Sequence, residues 1–237
     1  MSTRQARRGL VRALIGLGPD PGRSLRTLLG VLLGCQAVLL LLHFVAAVVL
    51  AGPAARTVDG HIGGFDLEAE SSLSVWFSSL QLLFIAVLCL FVSWFDREGE
   101  KGRRALLWRY GALVFTVLSI DETAVLHEMF GGSMVRFFPG IPLSASLWWA
   151  IPYGVLIGIF LIFLVLTFRR RIGLLVLTLA GAGLWLLSVF LEIFRLFPEW
   201  ANVALEEGAE MLGATAFLAA LGFYLIGRAE PGNEYPG

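Results

Sequence analysis

Lysine is nearly missing from this chain. Lys101 is the only one, and it stands between two apolar runs in the stretch "DREGEKGRR". A retinal protein needs a lysine inside a span to form its Schiff base, so that class is excluded. Histidine is almost as scarce, with His43, His61 and His127 the full set. No Glu-x-x-His motif occurs, and a bundle-type di-iron centre wants two of them. Three histidines also leave little to hold a haem. The two cysteines, Cys35 and Cys89, sit inside apolar runs with no CxxC spacing. They read as small buried residues, without a disulfide framework or thiolate pair. Charge is thin throughout. Only 15% of residues are charged, where a soluble domain carries about 25%. The formal net charge is zero, so no general attraction to nucleic acid is implied.

Apolar residues fill the space left by charge, at 57% of the 237 residues and a mean hydropathy of +0.80. Several runs exceed the roughly 18–20 residues needed to cross a bilayer. Six spans are predicted, at 27–51, 73–95, 105–127, 147–168, 172–196 and 204–227. Lipid offers the backbone no hydrogen-bond partners, so each must be a helix. The expected fold is an all-α integral membrane protein, a six-transmembrane-helix bundle. Its domain (27–228) follows a basic segment (1–26) suited to the membrane surface and precedes a disordered tail (229–237). The first run is too long for a signal-peptide core and has no A-x-A site at the usual distance, so it reads as a retained span. Fifteen of the eighteen basic residues fall on one side of the alternating topology. Arg56, Arg136 and Arg195 fall on the other. By the positive-inside rule both termini are expected in the cytoplasm, with the protein multi-pass in the inner (plasma) membrane.

The acids gather on the opposite, outer side. Twelve of eighteen lie there or in the outer turns of the spans. Asp and Glu contribute little to topology, so the positive-inside rule does not explain this. Three stretches carry most of them. "FDLEAESSLSVWFSS" (65–79) alternates Asp66, Glu68 and Glu70 before the second span, as carboxylates that wrap a hard cation do. Ser71 or Ser72 is placed to cap the following helix, and Ser78 and Ser79 suit hydrogen bonds between helices. "SIDETAVLHE" (119–128) holds Asp121, Glu122, His127 and Glu128 at the end of the third span. On one continuous helix Asp121 and Glu128, seven apart, share a face. "EWANVALEEGAEMLGA" (199–214) sets Glu206, Glu207 and Glu210 along one side of the last span. Like charges so spaced repel unless a cation, protons or water lie between them. Glu192, in the fifth span, has Arg195 one turn later as an ion-pair partner. His43 falls in the outer half of the first span.

This donor set favours a divalent ion: Ca²⁺, Mn²⁺, Mg²⁺, or Zn²⁺ through His127. The expected metal ligands are Asp121, His127, Glu128, Glu206 and Glu210, with Asp66, Glu68 and Glu70. Glu122 or Glu207 is the expected catalytic base.

The acidic segment before "WFSS", together with "SIDE…HE", resembles a pattern in uncharacterised bacterial integral membrane proteins and covers about a quarter of the chain. It is also similar to the alkaline ceramidase-like membrane hydrolases, which carry an acidic cation-binding segment beside a span and a zinc site facing one side. The resemblance implies a lipid-facing hydrolase. Where that superfamily supplies a late His-x-x-x-His, this chain has Glu206, Glu207 and Glu210.

Three functions fit. One is a metal-dependent hydrolase of a lipid-like substrate, with membrane lipid as its partner. The second is a non-catalytic subunit or sensor, with another membrane protein or its own copy as partner; the small residues Ala180–Gly183 permit close helix contact, within the fold or with that partner. The third is a cation or proton transporter. "LWW" (147–149) reads as an interfacial aromatic belt. Pro152 reads as lying in the first turns of the fourth span, and the stretch from Met129 to Pro142 as an outer loop.

Overall fold

The computed structural model describes residues 20–46, 67, 72–95 and 102–229. Seven helices lie among them: α1 (Pro21–Phe44), α2 (Leu73–Phe95), α3 (Gly102–Ala124), α4 (Leu126–Phe137), α5 (Ala145–Phe168), α6 (Ile172–Phe194) and α7 (Glu199–Ala229). Five of these, α1, α2, α5, α6 and α7, are long and apolar enough to cross a bilayer. The fold is thus all-helical and of the membrane type. The ends have ordinary physical causes. Asp20 accepts the Arg23 amide and caps α1, whose first residue is Pro21. Ser72 accepts the Val75 amide at the start of α2, and Ser144 caps α5 through the Leu147 amide.

α7 is the central post, and α1, α2 and α6 pack directly against it. Its small residues make this possible. A Cβ at Gly181 of α6 would come within 3.0 Å of the Gly213 carbonyl, so the two backbones nearly touch there. The small-residue run 180–183 therefore serves contact within the fold at Gly181. α1 is held by polar groups instead. Gln36 of α1 and Gln81 of α2 both donate to Thr215 Oγ1 of α7, at 2.7 and 2.8 Å. His43 is structural too. Its Nδ1 accepts the Leu67 amide at 3.2 Å, which makes Nε2 the donor to the Trp200 carbonyl at 3.1 Å.

The two ends of the bundle are filled differently. Trp108 and Phe115 of α3, Phe160 and Phe163 of α5, and Phe217 and Tyr224 of α7 interlock in one aromatic core. Trp108 meets Phe163 edge-on at 4.8 Å and stacks on Tyr224 at 5.6 Å. This core occupies the half nearer the α3 N-terminus, with Arg103 and Arg104. Toward the other end α3, α5, α6 and α7 are not closed by comparable packing, and a cavity of about 700 Å³ remains.

Three expectations change. Met129–Pro142 is not simply a loop, because α4 carries the chain helically as far as Phe137. α3 does not run on through His127. Val125 adopts a left-handed conformation (φ 54°) and redirects the chain. Pro152 lies inside α5, at its eighth residue and so just past its first two turns.

Candidate metal centre

The break at Val125 organises the acid end. A β-branched residue with positive φ costs about 1–3 kcal/mol and persists only where its surroundings fix it. Asp121 does the fixing. It is buried, with Oδ1 accepting the His127 amide at 2.7 Å and Oδ2 meeting His127 Nδ1 at 2.9 Å. His127 also packs edge-on against Trp149 of α5, with ring centroids 4.8 Å apart. The ring feels opposing effects. Burial pulls its pKa down, but the hydrogen bond to Asp121 and that carboxylate's charge outweigh burial, and the net direction is upward. The face shared by Asp121 and Glu128, expected from an unbroken helix, does not form. Glu128 is exposed on α4, at the rim of the cavity.

Glu122 points elsewhere. One oxygen each from Glu122 of α3 and from Glu207 and Glu210 of α7 lie within 4.8 Å of one another. Two oxygens bound to one ion can be no farther apart than twice the metal–oxygen distance. That limit is about 4.2 Å for Mg²⁺ and about 4.8 Å for Ca²⁺. The trio thus could hold a cation, its three oxygens lying no farther apart than the Ca²⁺ limit.

Two further groups aim at the same cavity. Ser78 of α2 is only 5% exposed, and its hydroxyl makes no hydrogen bond of full geometry among the described residues. It lies beside Glu122, though short of hydrogen-bond geometry. Asn202 of α7 is 4% exposed. Its amide donates to the Leu191 carbonyl and to Glu206, and its Oδ1 has no partner among the described residues. Glu207 Oε2 is likewise buried without a partner among them. Buried polar atoms are normally satisfied. Three oxygens without a hydrogen-bond partner among the described residues thus line one acid-walled cavity.

Of the residues picked out from the sequence, Glu122, Glu207 and Glu210 come together. Asp121 and His127 pair with each other beside them, and Glu206 lines the cavity bonded to Asn202. Glu192 and Arg195 also line it, but they form no ion pair. Arg195 caps α6 in a left-handed conformation, with φ 43°. Asp66, Glu68 and Glu70 lie outside the described residues. Ser78 and Asn202 escaped sequence reasoning as ligands. The signal for Asn202 was its position four residues before Glu206, on the face of α7 that carries the acids. Ser79, by contrast, bonds helix to helix: its hydroxyl donates to the Ser119 carbonyl, and the Ser119 hydroxyl donates back to the Ser79 carbonyl.

These features define an all-helical membrane protein with a carboxylate-walled cavity at one end of its bundle. Residues 36–225 match the family described as a domain of unknown function, DUF8692, and the chain belongs to that family. No curated protein and no solved structure matches it.

Proposed function

We propose that the protein is a divalent-cation-dependent membrane hydrolase acting on a lipid-like substrate. Glu122, Glu207 and Glu210 hold the ion, and Ser78 and Asn202 complete its oxygen shell. The reading assigns α3 as a sixth crossing. Its 23 residues span about 34 Å, and its charges sit at the two ends. The arginine end faces the cytoplasm with both termini, and the acid end faces outward, in the inner (plasma) membrane.

The observation that carries this reading is the carboxylate trio opening onto a cavity of ligand size. A bound ion would lower the pKa of a coordinated water toward about 7 and polarise a carbonyl. The protein's own groups supply the rest. Glu206, held by Asn202, lines the cavity as a second carboxylate able to take a proton. His127, fixed by Asp121 beside Trp149, lines the cavity too, and its Nε2 accepts a hydrogen bond when the ring is neutral and donates one when it is protonated. A transport pathway fits less well, because the aromatic core fills the inner half and leaves no polar relay among the described residues.

The test is hydrolysis by purified full-length protein of a panel of ester- and amide-linked lipids, with and without Ca²⁺, Mn²⁺ or Zn²⁺. Metal-dependent release of fatty acid that is lost in Glu207→Gln supports the proposal. A bound ion with no release across the panel would leave a non-catalytic, ion-stabilised subunit as the better reading.

A further inference from the structure

Beyond the carboxylates the cavity changes character. Its walls become Ile157, Gly158 and Leu161 of α5, Ala182 and Leu186 of α6, and Phe217 of α7. From Trp149 to Leu161 the α5 wall rises by twelve residue steps, roughly 18 Å of helix. A Cβ built at Gly154 or Gly158 would meet nothing within 4 Å, and both glycines line the cavity. At these two positions, one turn apart, helix backbone is itself the wall.

The cavity also opens sideways. Leu186 lines it yet is 71% exposed. It sits eight residues before the end of α6, about 12 Å along the helix axis, at a depth where a crossing helix meets hydrocarbon. An apolar space of this kind stays dry, and its natural occupant is hydrocarbon.

We infer that this arm is a channel for one alkyl chain of a membrane amphiphile, entering between α5 and α6 past Leu186. Gly154 and Gly158 set how long a chain it accepts. The inference rests on the proposed hydrolase only for the head group, whose linkage would sit at the carboxylates; chain binding does not need the ion. Lipid tails are as apolar as the channel wall, so the hydrophobic effect gives no preference for the channel over the bilayer. Retention depends on fit, and a side chain filling the channel should abolish it.

The experiment uses full-length protein in lipid nanodiscs and two photoreactive N-acylethanolamines, hexadecanoyl and octanoyl, each with a diazirine near the methyl end. Crosslinked peptides are mapped by mass spectrometry, in chelator and in Mn²⁺. The hexadecanoyl probe should label the channel peptides of α5, α6 and α7 under both conditions. Gly158→Leu should cut that labelling about fivefold or more, equivalent to roughly 1 kcal/mol of lost fit, and should spare the octanoyl probe near Trp149 and Tyr153. Gly154→Leu is the second variant should Gly158→Leu fail to fold. Gly173→Leu, on α6 outside the cavity and also with open space at its Cβ, should change nothing. Labelling spread evenly over the lipid-facing surface, or unchanged in both channel variants, would overturn the inference. Channel labelling in a protein that binds no metal would uphold it while sinking the hydrolase reading.

Discussion

Replacing Glu207 with glutamine should make the metal-free protein more stable and the metal-treated protein less so. Glutamine keeps the shape and removes the charge. At the upper limit of the trio's spacing, 4.8 Å, two unit charges repel by about 3–4 kcal/mol at an effective dielectric of ~20. The substitution deletes two of the three pairs in the trio, those with Glu122 and Glu210. Protons and water already relieve part of that repulsion, so the net gain should be about 1–2 kcal/mol, or roughly 2–8 °C in Tm for a chain of this size. With an ion the order reverses. Wild type at a hundredfold excess over Kd gains about 2.7 kcal/mol, roughly 5–11 °C. Glu207→Gln should gain less than about 2 °C. The assay is thermal unfolding of purified protein in detergent, in chelator and then in Ca²⁺, Mn²⁺, Zn²⁺ or Mg²⁺. An equal metal-induced rise in both proteins, or none in wild type, would refute a shared ion held by Glu207.

Other perturbations have definite directions. Val125→Gly should raise stability by about 1 kcal/mol by relieving the left-handed strain, whereas Asp121→Ala should lower it by about 1–2 kcal/mol through loss of the amide acceptor; chemical denaturation compares the two. NMR titration should find the His127 pKa above the usual histidine value and lowered by Asp121→Asn. Because the folded value is raised, the stability contributed by this pair is full below about pH 6.5 and fades as pH rises through the folded value. A variant less stable than wild type by the same margin at pH 5.5 and pH 9 would contradict the pairing. Gly111→Ala would drive a Cβ into the Phe160 ring and should cost about 1–3 kcal/mol in thermal unfolding. Gln81→Leu should cost about 0.5–2 kcal/mol by removing a buried bond to Thr215.

The crossing helices were legible because span length follows from bilayer thickness, and apolar runs near 73–95, 147–168 and 172–196 carry that length in plain view. The last span was also legible, though charged, since its acids fall on one face. The turn at Val125 was not. A left-handed residue is normally announced by Gly or Asn, and valine gives no such signal, so the register projected from Asp121 to Glu128 failed just beyond it. The depth shared by Glu122, Glu207 and Glu210 could be read from topology alone. Which acids meet could not, because that depends on the rotation of α3 against α7, where Trp108 stacks on Tyr224 and Phe115 meets Phe217. His43 looked like a member of the site for the same reason. Its depth is right, but its partners are backbone groups at Leu67 and Trp200.

Elemental analysis of purified full-length protein, dialysed against a mixture of divalent ions and then against buffer, tests the metal centre most directly. Wild type should retain about one divalent ion per chain at the coordination number that oxygen ligands favour, and Glu122→Gln and Glu210→Gln should each lose it. A folded wild-type protein free of metal, or variants that keep the ion in full, would contradict the assignment.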